Sequence, residues 1–232
     1  MKFDLIGIQK SRNDERRCLR LPFEPSEELA EFIGILTGDG YMNYYPAQEK
    51  YLLEIAGNSQ LDKEYFINNV SNLMYLLFKL KPAVIFRKDQ KTMYLRLISK
   101  GLLNFLSHVG FKSGRKDQIG IPTWIRQDEK FMNMFVRGLA DTDFCFHWRK
   151  NYPIISAELK SEILMCAIAR HLRSEGFFVA GPYHRIRKDK RGYKDSEIYR
   201  IDLNGHKNLD RWITTIGVRN PRHLKKISVG LR

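Results

Sequence analysis

Cysteine is scarce and odd in number, at three in 232 residues. Cys18, Cys145 and Cys166 lie far apart, without the spacing of a metal-binding cluster. A disulfide framework and a thiolate zinc site are therefore excluded as organising features, and free thiols in a reducing compartment are expected. No apolar run approaches the roughly 20 residues that cross a bilayer. The first residues, MKFDLIGIQKSRNDERR, lack the pattern of a signal peptide. A soluble, intracellular chain with no membrane partner is expected. Acidic residues are also short: 26 Asp and Glu face 40 Lys and Arg, for a net charge of +14. That excess points to a polyanion, nucleic acid before an acidic membrane surface, since the chain has no basic amphipathic helix suited to lipid. With 43% hydrophobic and 12% aromatic residues, a substantial core is expected and wholesale disorder is excluded.

What the chain does have is one short pattern written twice. Phe32-Ile33-Gly34-Ile35-Leu36-Thr37-Gly38-Asp39-Gly40 and Val136-Arg137-Gly138-Leu139-Ala140-Asp141-Thr142-Asp143-Phe144 superpose at an offset of 104, which carries Gly34 onto Gly138 and Asp39 onto Asp143. Each is an apolar, helix-like run ending in an aspartate. Ser26, with Glu27 and Glu28 after it, is a good start for the first helix, and Asp128 for the second. Two strands are expected after the first motif (41–45 and 51–57), then a helix over 60–80, strands at 83–88 and 92–98, and a helix over 100–109. The second half repeats the order: strands near 144–150 and 153–158, a helix near 161–174, strands near 182–188 and 197–203, and a helix near 207–216. The expected fold is α+β, with two pseudo-symmetric αββαββα halves, each a curved antiparallel sheet, packed through two central helices. Residues 1–25 form a basic N-terminal extension, 26–111 the first half, 112–127 a linker and 128–232 the second half.

Ala30, Gly34 and Gly38 recur every four residues, on one face of a helix, and Gly138 offers the same small surface on the other. A mid-helix glycine costs about 1 kcal/mol relative to alanine, so its repetition implies close helix packing. Side by side, the two helices would bring Asp39 and Asp143 together at their C-terminal ends, beside carbonyls without intrahelical partners. Two like charges at two negative helix ends call for a cation. Hard divalent ions such as Mg²⁺ prefer carboxylate, carbonyl and water oxygens, which makes Asp39, Asp143 and the Gly38 and Thr142 carbonyls the candidate metal ligands.

The two stretches resemble the LAGLIDADG motif of homing endonucleases, and the resemblance extends over roughly residues 26–228. It implies a DNA endonuclease whose motif aspartates bind catalytic Mg²⁺, cutting both strands across the minor groove. It further implies basic residues around the scissile phosphates, for which Lys116 and Lys225 are the candidates, with Asn58 and Lys160 beside them. Two departures stand out. Thr37 occupies a position often acidic in the family, and Phe144 replaces the motif's last glycine. Phe144 begins the core face of a strand, tightens the metal site or marks a weakened one.

Strand alternation supplies the candidate DNA-reading face. Tyr41, Asn43, Tyr45, Arg87 and Arg96 are expected to point outward in the first half, and His147, Arg149, Arg185, Arg187, Arg191 and Arg200 in the second. Arg and Asn hydrogen-bond base edges, and the 185–194 run (RIRKDKRGYK) is suited to phosphates. The expected protein is a monomeric, site-specific double-strand DNA endonuclease with a long asymmetric target. An RNA maturase acting on intron RNA, or a regulator on the same fold with weakened catalysis, is the alternative. The chain begins with Met and ends in Leu-Arg without splicing residues, so a free-standing or intron-encoded enzyme is expected before an intein.

Overall fold

The computed structural model describes residues 1–88, 90–112, 114–188 and 195–230. Its N-terminal segment is docked onto the first half. Helix α1 (Arg12–Arg16) is closed by reciprocal Ser11–Asp14 hydrogen bonds. Asp14 is buried and also accepts the N–H of Gly101 at 2.9 Å, satisfying an open donor at the start of a distant helix. Phe3 packs edge-on against Phe105 and Trp124.

The motif helix α2 (Glu27–Asp39) starts where Ser26 accepts the N–H of Leu29. It leads into β1 (Gly40–Tyr45) and β2 (Lys50–Asn58). The following helix begins later than its periodicity suggests. Asn58 Oδ1 accepts the N–H groups of Gln60 and Leu61, while Asp62 accepts that of Asn58, building a turn first. A π-helical stretch, Tyr65–Val70, then runs into α3 (Ser71–Phe78). Strands β3 (Ala83–Phe86) and β4 (Thr92–Ile98) and helix α4 (Lys100–His108) complete the half. The connection holds a short α5 (Thr123–Arg126). The second half runs α6 (Glu129–Asp143), β5 (Phe144–Arg149), β6 (Tyr152–Leu159), α7 (Glu162–Ser174), β7 (Val179–Arg187), β8 (Ser196–Asn204) and α8 (His206–Arg211), which continues as a π-helical turn to Ile216. The expected αββαββα order is present in both halves. A final helix, α9 (Pro221–Gly230), was not expected; its Trp148 contact, indole Nε1 to the Lys226 carbonyl, ties it to β5.

Each half carries a four-stranded antiparallel sheet, ordered β1-β2-β4-β3 and β5-β6-β8-β7. The inner faces, including Leu53, Ile55, Met93 and Leu95 in one and Phe146, Ile155, Ile201 and Leu203 in the other, are buried in a common core. The two first hairpins differ in length. Tyr45 pairs with Lys50, leaving residues 46–49 as the connection, whereas Arg149 pairs with Tyr152 and only Lys150 and Asn151 intervene. The offset between halves therefore changes along the chain. It is 104 from Tyr41 to Cys145, 102 from Glu54 to Ser156 and 106 from Arg96 to Asp202.

Helices α2 and α6 pack against each other at the centre. A Cβ on Gly34 would lie 2.1 Å from the Phe135 carbonyl oxygen, and one on Gly138 would lie 2.2 Å from that of Glu31. The helices thus touch backbone to backbone, and Ala30 beside them is fully buried.

Candidate active site and nucleic-acid face

Asp39 and Asp143 are the last residues of α2 and α6. A Cβ on Gly38 would stand 2.1 Å from Thr142 Oγ1 and 3.3 Å from Asp143 Oδ2, so the two helix ends meet. Burial, and then the charge of Asp143, push Asp39 up to about 7. Burial also raises Asp143. Among the described residues neither carboxylate accepts a hydrogen bond. Lys116 reaches across from the connection and donates to the Gly38 carbonyl, and its charge partly offsets both acids. Thr142 turns its hydroxyl back to the Leu139 carbonyl at 2.9 Å.

Two partly neutralised carboxylates without donors, beside main-chain oxygens, are a hard-oxygen site of the kind that suits Mg²⁺ or Ca²⁺. Among the described residues no group of three or more His, Cys, Asp and Glu is arranged around a metal. An ion here would complete its shell with water and a ligand's oxygens.

The second cation at the site is Arg222, whose charge acts on both Asp39 and Asp143. The offset of 106 carries Lys116 onto Arg222, not onto Lys225. Lys225 is exposed on α9 and is not among the charges acting on either aspartate. Arg222 is held by Asp62 at 3.1 Å. Asn220 bridges Asp62 Oδ1 (3.1 Å) and the Asp141 carbonyl (2.9 Å), joining the first half to the second. Asp141 accepts the N–H groups of Arg219 and Asn220, yet burial still pushes it up to about 7. Glu31, 1% exposed, pairs with Arg137 at 2.7 Å and Arg219 at 3.3 Å. Asn58 is spent on its turn. Lys160 lines, with Lys116, Arg115 and Tyr199, an open cleft of about 750 Å³ between the connection and the starts of α7 and β8.

Phe144 is buried and packs 5.7 Å from Trp212. Its φ and ψ of −86° and 155° are ordinary extended backbone, so its position needs no glycine. It begins the core face of β5. Thr37, buried, donates to the Ile33 carbonyl within its own helix.

Strand parity puts Tyr41, Asn43, Tyr45 and Arg96 on the face of the first sheet away from the core, with Arg87 just beyond β3. Tyr41 and Tyr45 hydroxyls meet at 2.9 Å, and Arg87 lies 5.2 Å from the Tyr94 ring centre. His147, Arg149, Arg185, Arg187 and Arg200 take the corresponding face of the second sheet. Arg96 pairs with Glu54 across the strands; Arg187 and Arg200 pair with Glu158, and Arg200 also with Asp202. These acids on the outer face were missed in the sequence. Arg191 lies outside the described residues, as does most of the basic run around it.

Two four-stranded sheets under a central helix pair that ends in two half-buried aspartates define the LAGLIDADG homing endonuclease fold. The chain is similar to I-DmoI in its complex with DNA and Ca (TM-score 0.59, 16% identity, 89% of this chain and 98% of that one). It is also similar to the LAGLIDADG meganuclease I-AabMI bound to uncleaved DNA (TM-score 0.53, 10% identity, 87% and 90%). No family model matches the chain. Among curated proteins it is similar to the replication factor C small subunit of Methanocaldococcus jannaschii, 24% identical over 204 residues. Those residues are 87% of this chain and 10% of that protein, so the chain spans about a tenth of its relative's length. Among the described residues no helix is long and apolar enough to cross a membrane.

Proposed function

We propose that the chain is a metal-dependent DNA endonuclease that cuts both strands of a long, asymmetric duplex target and acts as a monomer. The observation that carries this reading is the meeting of Asp39 and Asp143, one from each half, with Lys116 and Arg222 beside them. Asp39 and Asp143, with the Gly38 and Thr142 carbonyls, would hold Mg²⁺. When bound, the ion supplies an activated water and charge to offset the leaving oxygen. Lys116 and Arg222 are placed to counter charge developing on a phosphate and to orient it. The sheets' outer faces grip the duplex on either side. The fold supports this reading, as does its likeness to I-DmoI in complexes with DNA and Ca or Mn.

The test is cleavage of a plasmid library carrying randomised duplex inserts, with Mg²⁺ or with EDTA, by wild type and Asp39→Asn. Metal-dependent double-strand cuts at one long site, absent from the mutant, are expected. Tight binding of duplex or intron RNA without any cutting would replace the nuclease with a binding protein on the same fold.

A further inference from the structure

The outer faces of both sheets carry arginines held by carboxylates, but the two halves hold them differently. Arg96 and Glu54 are direct cross-strand partners in β4 and β2, on the same row as Tyr41, two residues beyond Asp39. Both Nε (2.6 Å) and Nη2 (2.5 Å) of Arg96 go to one oxygen, Glu54 Oε1. A guanidinium is planar, with five N–H groups in a fixed fork. Glu54 therefore covers its side edge and leaves the terminal edge, Nη1 and the second hydrogen of Nη2, without a partner among the described residues. Arg200 is enclosed. Its Nε and Nη2 go to Asp202, and its Nη1 goes to Glu158 at 3.1 Å. Glu158 also takes Arg187. The unequal hairpins place Asp202, not Arg200, opposite Arg96 in the pseudo-twofold.

We propose that Arg96 is a guanine reader, held for that purpose by Glu54, and that Arg200 reads no base. This rests on the DNA-endonuclease reading above. The two adjacent terminal N–H groups of Arg96 match the O6 and N7 acceptors that guanine alone presents side by side in the major groove. Glu54 removes the alternative rotamers and leaves one edge to offer, so the entropy of ordering the side chain is already spent before DNA arrives. The asymmetry has a consequence for the target. A guanine is required on the first-half side, close to the cleavage centre because Arg96 lies only two residues along the sheet from the level of the motif end. No equivalent requirement falls at the mirrored position.

The test is selection of bound duplexes from a randomised pool, sequenced after wild type, Arg96→Gln, Glu54→Gln, Glu54→Asp and Arg200→Gln. Wild type is expected to prefer guanine at one inner position by about ten- to hundredfold over other bases. Arg96→Gln should erase that preference and leave the other positions unchanged. Glu54→Gln should weaken it at an unaltered melting temperature, Glu54→Asp should retain more of it, and Arg200→Gln should change no preference. An Arg96→Gln pool matching wild type, or binding that falls equally for all sequences, overturns the assignment while leaving the nuclease reading intact. So does a base preference lost in Arg200→Gln. A wild-type pool with no enriched sequence overturns both.

Discussion

Asp39 is a costly residue in the metal-free protein. Burial and the neighbouring Asp143 charge raise it from 3.8 to about 7. Between those values the native state holds a proton that the unfolded chain has released, so rising pH through that window lowers stability. Asp143 and Asp141 shift in the same direction; Asp14, lowered by its hydrogen bonds to Gly101, Ser99 and Ser11 despite its burial, acts the other way at acid pH. Comparing wild type with Asp39→Asn isolates the site. In EDTA the mutant's melting temperature should rise relative to wild type as pH goes from 4.5 to 7.5, and Mg²⁺ should shrink the difference at the upper end. A gap independent of pH would show that the carboxylate is not destabilised. The flanking cations give a kinetic prediction. Lys116→Met and Arg222→Met should each slow single-turnover cleavage by roughly 10²–10³-fold, the usual loss for a preorganised charge-stabilising donor. Lys225→Met should remain within about twofold, as expected for a surface lysine away from the charge.

At the level of elements, the helix pair sets the tightest tolerance. Alanine is the better helix former by about 1 kcal/mol, yet a Cβ at position 34 would sit 2.1 Å from a backbone oxygen that cannot swing away. Gly34→Ala should destabilise by about 1–3 kcal/mol through overpacking, lowering the melting temperature by several degrees. Gly120→Ala, with nothing within 4 Å of its Cβ, is the control and should change little. The motif helices and hairpins were legible because glycine spacing, capping serines and strand alternation are local signals. Arg222 was not: Lys225 lies 109 residues after Lys116, three beyond the offset of 106 that the paired strands set, and no local pattern fixes that register across the connection. Asp202, the counterpart of Arg96, likewise emerges only from strand register. Helix α9 could have been found: Asn220-Pro221 is a cap followed by a first-turn proline, and Asn220 Oδ1 does accept the Arg222 N–H. The ion pairs on the outer faces depend on cross-strand register, which no local pattern contains.

For the whole molecule, a net charge of +14 makes duplex binding an ion-exchange reaction. The logarithm of the binding constant should fall by roughly 0.9 per phosphate contact for each decade of salt. A titration from 50 to 200 mM that changed affinity by less than about threefold would be incompatible with a long duplex lying across both sheets. The free protein should sediment as a single 27.4 kDa species. That expectation has its root in the buried contacts between halves. The first half supplies the carboxylates Glu31 and Asp62; the second supplies Arg137, Arg219, Arg222 and Asn220. Removing one member of such a buried pair costs about 3–5 kcal/mol. Two copies of the first half would bury acid against acid, and two of the second would bury guanidinium against guanidinium. The halves, though repeats in outline, are lock and key to each other and strangers to themselves, so a gene split at the connection would yield fragments that assemble only as an unlike couple.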